Sequence, residues 1–190
     1  MLGPEYRARL TELPTLDAVG RRRSFVVVIR RIFISPGHNY FGHHGQAADN
    51  YPLQEVDRIE CVAGHGIRGD RFYDYKTDYN GQITFFAAEV FERLRAQFPH
   101  VEKGAGVLRR NVLVSGVELN ELIGEDFELQ GIRFHGTAHC KPCYWLDQAF
   151  APGAEEALAG NGGLRARILT SGWLTTGAAE LRLAQGELAL

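Results

Sequence analysis

The sequence predicts a mainly β fold with packed helices, α+β in class, closing into a β-barrel. Three observations carry this. Short segments rich in β-branched and aromatic residues recur along the chain. One clear long helical pattern stands among them. Strands and helices do not alternate in the regular order of βαβ folds. With 190 residues, 45 % of them hydrophobic and 23 % charged, the chain can bury a core of its own as one domain.

Residues 1–23 are mixed and weakly periodic, and read as an arm beside a single barrel domain over residues 24–190. The run Arg21-Arg22-Arg23 reads as a solvated turn before a strand. SFVVVIRRIFIS, residues 24–35, is the first strand, bent at its paired arginines. PGHNYFGHHGQAADNYP is loop, with proline at both ends. EVDRIECVA, residues 55–63, is a second strand, GHGIRGDRF a glycine-punctuated turn, and QITFF, residues 82–86, a third strand. Residues 87–98 form the helix: Val90, Phe91, Leu94 and Phe98 share one face, and Pro99 stops it. NVLVSG is a short strand. GVELNELIG is a helical turn ended by Gly124, and DFELQGIRFHGTA is two strands joined near Gln130-Gly131. APGAEEALAG is a short helix, and LRARILTSGW and GAAELRL are the last strands.

Composition excludes several classes. A formal charge of −2 does not advertise nucleic-acid binding. No apolar run approaches the roughly 20 residues of a membrane span. MLGPEYRARL lacks the apolar stretch of a signal peptide. The expectation is a cytoplasmic protein with a small-molecule partner, without nucleic acid or membrane; the oligomeric state stays open.

AHCKPCYWLD carries the main chemical question. Cys140 and Cys143 are three residues apart, and Cys61 makes the count odd. Three readings compete. Cys61, Cys140 and Cys143 with His139 or His65 have the ligand types of a zinc site. The C-x-x-C is also the pattern of a redox dithiol, although no thioredoxin-like setting surrounds it. The third reading is one functional thiolate, Cys143, with Lys141 and His139 as nearby cations and the soft character that suits molybdenum or a transferred sulfur. Spacing does not separate them. Elsewhere, GIRGDRF offers glycines for close backbone approach, Arg71 as an anion fork and Asp70 to orient it. In LRRNVLVSG, the extended-chain alternation sends Arg109 and Asn111 to one side and Arg110 to the other. His38, Asn39, His43 and His44 lie on a long loop that reads as substrate-facing.

Taken together, GIRGDRF, RRNVLVSGVELNELIG, GTAHCKPCYWL and GGLRARILTSG occur in the order and approximate spacing of the MOSC domain, which the chain resembles over residues 25–183. The resemblance implies a β-barrel like the one inserted in pyruvate kinase. It implies a pocket for the molybdenum cofactor (molybdopterin), with Cys143 as the thiolate ligand to molybdenum. It places Asp70, Arg71, Arg109, Arg110 and Asn111 as candidate contacts to the cofactor phosphate and pterin. The family also carries an association with pyridoxal phosphate. Two activities are implied: reduction of N-hydroxylated or similar small substrates with a separate electron-transfer partner, or non-catalytic carriage of sulfur or cofactor on a Cys143 persulfide. The sequence shows neither an aminotransferase-like nor an electron-transfer domain.

Overall fold

A computed structural model describes residues 24–40 and 47–184. The N-terminal arm expected over residues 1–23 lies outside the described residues, as do His43 and His44.

Seven strands close into a barrel. Around the wall run β1 (Ser24–Ile34), β11 (Gly177–Leu183), β7 (Asp126–Leu129), β8 (Ile132–His139), β9 (Leu164–Ile168), β5 (Ile83–Ala87) and β6 (Val112–Ser115), which returns to β1. Closure depends on the length of β1. Its first half pairs antiparallel with β11, from Ser24 opposite Arg182 to Ile29 opposite Gly177. Its second half pairs with β6, with a register shift between Ile29 and Arg31. That bulge is the bend expected at the arginines, and it lets one strand serve two neighbours. β5 and β6 are the parallel pair in the wall. A parallel pair needs a crossover, and the chain supplies it with α1 (Ala88–Gln97) and a 3-10 turn (Ala105–Leu108).

The barrel has two cores. Inside, Val27, Ile29, Phe85, Phe127 and Phe134 pack together, with the three phenylalanine rings 5.4–5.8 Å apart. Outside, Phe91 and Leu94 of α1 meet Phe86, Leu113, Leu146 and Phe150. β5 therefore buries both faces, which is why QITFF lacks alternation. The helix ends beside Pro99 as expected, with Glu89 in its first turn and Arg95 in its last. Gln130 and Gly131, at φ 52° and 78°, make the two-residue hairpin turn between β7 and β8.

Two expected strands are each divided. Residues 55–63 split at Asp57 into β2 (Gln54–Val56), paired with β1, and β3 (Arg58–Val62). The last LRARILTSGW strand splits into β9, in the barrel, and β10 (Gly172–Thr175). β3 pairs with β10 on one side and β4 (Gly66–Ile67) on the other, as a small second sheet. The hydrophobic pattern runs through both breaks because β3, β9 and β10 each keep buried residues and Val56 of β2 packs partly buried against the core. The short helix α2 (Trp145–Ala149) was not anticipated; α3 (Ala154–Ala157) lies within the expected APGAEEALAG helix.

Candidate functional site

The site forms where GIRGDRF, the β1 exit, the β6 entrance and the CKPC loop meet. Asp70 is its hub. The carboxylate is buried and accepts from Ser35 N at 3.1 Å, Arg71 Nη1 at 3.1 Å, Asn111 Nδ2 at 3.3 Å and Phe72 N at 3.2 Å. Arg71 N donates to Ser35 O, and Arg71 Nη2 to Arg109 O at 2.9 Å. One acidic side chain thus holds the turn after β4 against the ends of β1 and β6. Gly66 and Gly69, at φ 121° and 83°, give the chain the sharp path this requires.

Asn111 is 1 % exposed. Its amide oxygen accepts from Thr84 N and Oγ1, and its nitrogen donates to Phe33 O as well as Asp70. It braces β5 against β1. The alternation argument does not survive at Arg109, whose backbone is left-handed at φ 55° as it leaves the 3-10 turn, not extended. Arg109 Nη2 reaches Ser35 Oγ at 3.0 Å and Gly37 O at 2.7 Å, while Arg110 turns to Gly162 O at 2.9 Å and Leu108 O at 2.8 Å.

The CKPC loop is held from behind by GNGG. Cys140 N donates to Gly163 O, and Gly162 N donates to His139 Nε2 at 2.9 Å. A Cβ on Gly162 would overlap the Cys140 carbonyl oxygen and crowd the Pro142 ring, so glycine is required for this approach. Cys143 is exposed, three residues beyond Cys140 and just before α2; Cys140 is buried. Arg165 on β9 lies opposite Ala138; burial pulls its pKa down, but nearby Cys140 and Tyr79 hold it up. Arg165 and Tyr79 were missed in the sequence. Arg165 reads there as an ordinary outward residue of an alternating strand, and its place beside the Gly-Gly approach to the cysteines was the available signal.

Aromatic rings wall the cluster. Tyr40 meets Trp145 at 4.7 Å and lies 5.9 Å from the Arg109 guanidinium. His38 packs edge-on against Phe72 at 4.6 Å, and Phe72 against Tyr79 at 5.0 Å. Asn39 clasps the loop, accepting from Tyr51 N and donating to Tyr51 O.

The electrostatics are those of a crowded cationic site. Burial, then the neighbouring Arg71, push Arg109 down to about 10. Burial pushes Arg71 down too, against the pull of Asp70. Burial and Arg71 lower His38, and burial, Arg110 and Lys141 lower His139. Among the described residues, Asp70 is the single carboxylate paired with any of Arg71, Arg109, Arg110 and Arg165. Two open grooves of about 790 and 570 Å3 lie elsewhere and include none of these arginines.

The zinc set does not assemble. Cys61 sits inside the barrel core, opposite Gly172 and Ile67, and burial raises its thiol to about 12. His65 pairs with Asp74. Among the described residues, no three His, Cys, Asp or Glu side chains are grouped to hold a metal ion. No described helix is long and apolar enough to cross a membrane.

Known structures share this architecture. The YuaD protein of Bacillus subtilis superposes with a TM-score of 0.65 at 19 % identity, covering 86 % of this chain and 99 % of its own. YiiM of Geobacillus stearothermophilus gives 0.59 at 16 %, covering 86 % and 77 %, and YiiM of Escherichia coli 0.58 at 15 %, covering 85 % and 70 %. No curated protein matches the chain in sequence. Residues 43–187, spanning the Asp70 hub, the arginines and both site cysteines, match the MOSC domain, and the chain belongs to that family.

Proposed function

We propose that the arginine cluster binds a molybdopterin-type molybdenum cofactor, with Cys143 as its protein thiolate, and that the loaded protein reduces N-hydroxylated or similar small substrates using a separate electron donor. One observation carries the reading: the Arg71 and Arg109 guanidinium groups meet in a partly buried site beside one paired carboxylate. Charge of that kind is stabilised by an anionic ligand, and planar forks suit a phosphate. The donor set therefore fits the group.

The cofactor, when bound, supplies the redox chemistry at molybdenum. The chain's residues do the rest. Arg71 and Arg109 hold the phosphate, and Asp70 fixes the Arg71 fork by its 3.1 Å hydrogen bond. Asn111 positions Asp70 and acts through it. Cys143 is exposed and offers a soft sulfur ligand. His38 is held toward its neutral form by burial and Arg71, so it donates or accepts one hydrogen bond without adding charge. Tyr40 and Trp145 limit water on one side.

The test is metal content after purification from cells that make the cofactor. Stoichiometric molybdenum in the wild type and its loss in Cys143→Ser supports the reading; wild-type protein without molybdenum overturns it. The exposure of Cys143 also favours a second reading, carriage of sulfur as a persulfide. Under that reading sulfane sulfur is found on Cys143 and no turnover follows from an added electron donor.

A further inference from the structure

We propose that His139 is a positioning residue for the cysteine loop: its neutral ring holds Gly162 in place and, through Pro142, the placement of Cys143, and a proton taken up on Nε2 releases that hold. The inference rests on the reading above only for what Cys143 then carries.

The geometry assigns the state of the ring. Gly162 N donates to His139 Nε2 at 2.9 Å. A backbone N–H can only donate, so Nε2 carries a lone pair and the single ring proton of neutral imidazole sits on Nδ1. The sequence alone suggests His139 as a cation beside the Cys143 thiolate; this bond makes it neutral instead. Among the described residues, His65 and His135 each pair through Nδ1 with a carboxylate, Asp74 and Asp126, and His139 pairs with none. Its partner across the sheet is the uncharged Leu164. Burial, then Arg110 from the segment before β6 and Lys141 from its own loop, lower its pKa from the ordinary 6.5, against the Gly160 backbone.

The bond matters because of what Gly162 touches. Gly162 is buried, and its carbonyl accepts from Arg110 Nε at 2.9 Å. A Cβ on it would stand 2.8 Å from Pro142 Cδ, so Gly162 lies directly against the residue that precedes Cys143. The second tie between the two loops, Cys140 N to Gly163 O, is backbone to backbone and does not titrate. A proton on Nε2 turns the acceptor of Gly162 N into a second donor. A buried N–H left without an acceptor costs more than the bond contributed, so the ring turns away or Gly162 shifts, and a shift reaches Pro142 and Cys143. The fold keeps this histidine below its ordinary pKa, so the hold is complete at neutral pH and is lost as pH falls through the lowered value. An amide acceptor would make the same bond without that dependence; imidazole adds it.

The test is NMR on isotopically labelled full-length protein as purified. At neutral pH the ring nitrogens are expected to show the proton on Nδ1, with the Gly162 amide protected from hydrogen exchange. On acidification, the Gly162 protection factor falls about tenfold, the size of one hydrogen bond, in step with the ring's own titration, and the Cys143 amide shift moves over the same range. His139→Gln, whose amide oxygen can take the place of Nε2, keeps the protection and a steady Cys143 shift at every pH. His139→Leu lacks both even at neutral pH. A ring proton on Nε2 at neutral pH would overturn the proposal. So would Gly162 protection unchanged through the titration, or the same acid transition in His139→Gln, which would assign it to another group. Molybdenum content gives an independent readout: the wild type loses metal over the same pH range and His139→Gln retains it, whereas equal retention counts against the link to Cys143. Wild-type protein without molybdenum at any pH sinks the cofactor reading alone, and the NMR result still decides the role of His139.

Discussion

The barrel interior and the arginine cluster are built by the same strands on different terms. Leu164, Ala166 and Ile168 of β9 enter the interior, while Arg165 alternates to the outer face. On β5 Phe85 joins the inner core and Thr84, its neighbour, holds Asn111. Inside, order comes from many interchangeable apolar contacts, so no single side chain determines the arrangement. At the rim it comes from a few directed bonds that converge on Asp70. The interior is redundant and the rim is not, which makes the rim open to single-residue control.

The comparison can be broken by experiment. Phe134→Ala is expected to cost about 3–5 kcal/mol in urea unfolding, from lost burial and the cavity left behind. In the folded protein it should leave molybdenum content unchanged; a matching loss of metal would erase the distinction between the two regions. Asp70→Asn keeps the shape but loses the charge and one of the two oxygens that accept from four donors. A stability loss of about 1–3 kcal/mol is expected, with metal content down about tenfold because Arg71 loses its orienting partner. Retained metal content would remove Asp70 as the hub.

Two smaller effects sharpen the picture. Arg109 has a folded-state pKa below its ordinary value, so the cost of burying its charge is present at neutral pH and is relieved as pH rises through about 10. Binding of inorganic phosphate, which favours the charged form, is expected to be flat once the phosphate is fully dianionic and to weaken through about 10; calorimetry across that window checks it. The three thiols should also separate in alkylation followed by mass spectrometry. Cys143 reacts first by exposure and Cys140 later. Cys61, raised to about 12 and fully buried, reacts only on unfolding.

Much of the fold was legible because it is locally encoded. The bend at Arg30-Arg31, the Gln130-Gly131 turn and the helix before Pro99 each leave a mark in adjacent residues. The divisions at Asp57 and between β9 and β10 leave none, because a strand can change sheets without changing its period. The site shows the same split. Arg71 and Arg109 announce themselves beside glycines and a strand entrance. Asn111 reads as a ligand contact until its bonds to Thr84 and Phe33 show it bracing the wall. Arg165 and Tyr79 gain meaning only when segments distant in sequence meet.

The Asp70 hub also dictates when in folding the site can exist. Its partners Ser35 and Asn111 lie 35 and 41 residues away along the chain, just past the end of β1 and just before the start of β6. Contacts across such separations form late, after shorter loops have closed. Until the ends of β1 and β6 are brought together the arginines have no common focus; once they are, one carboxylate aligns them.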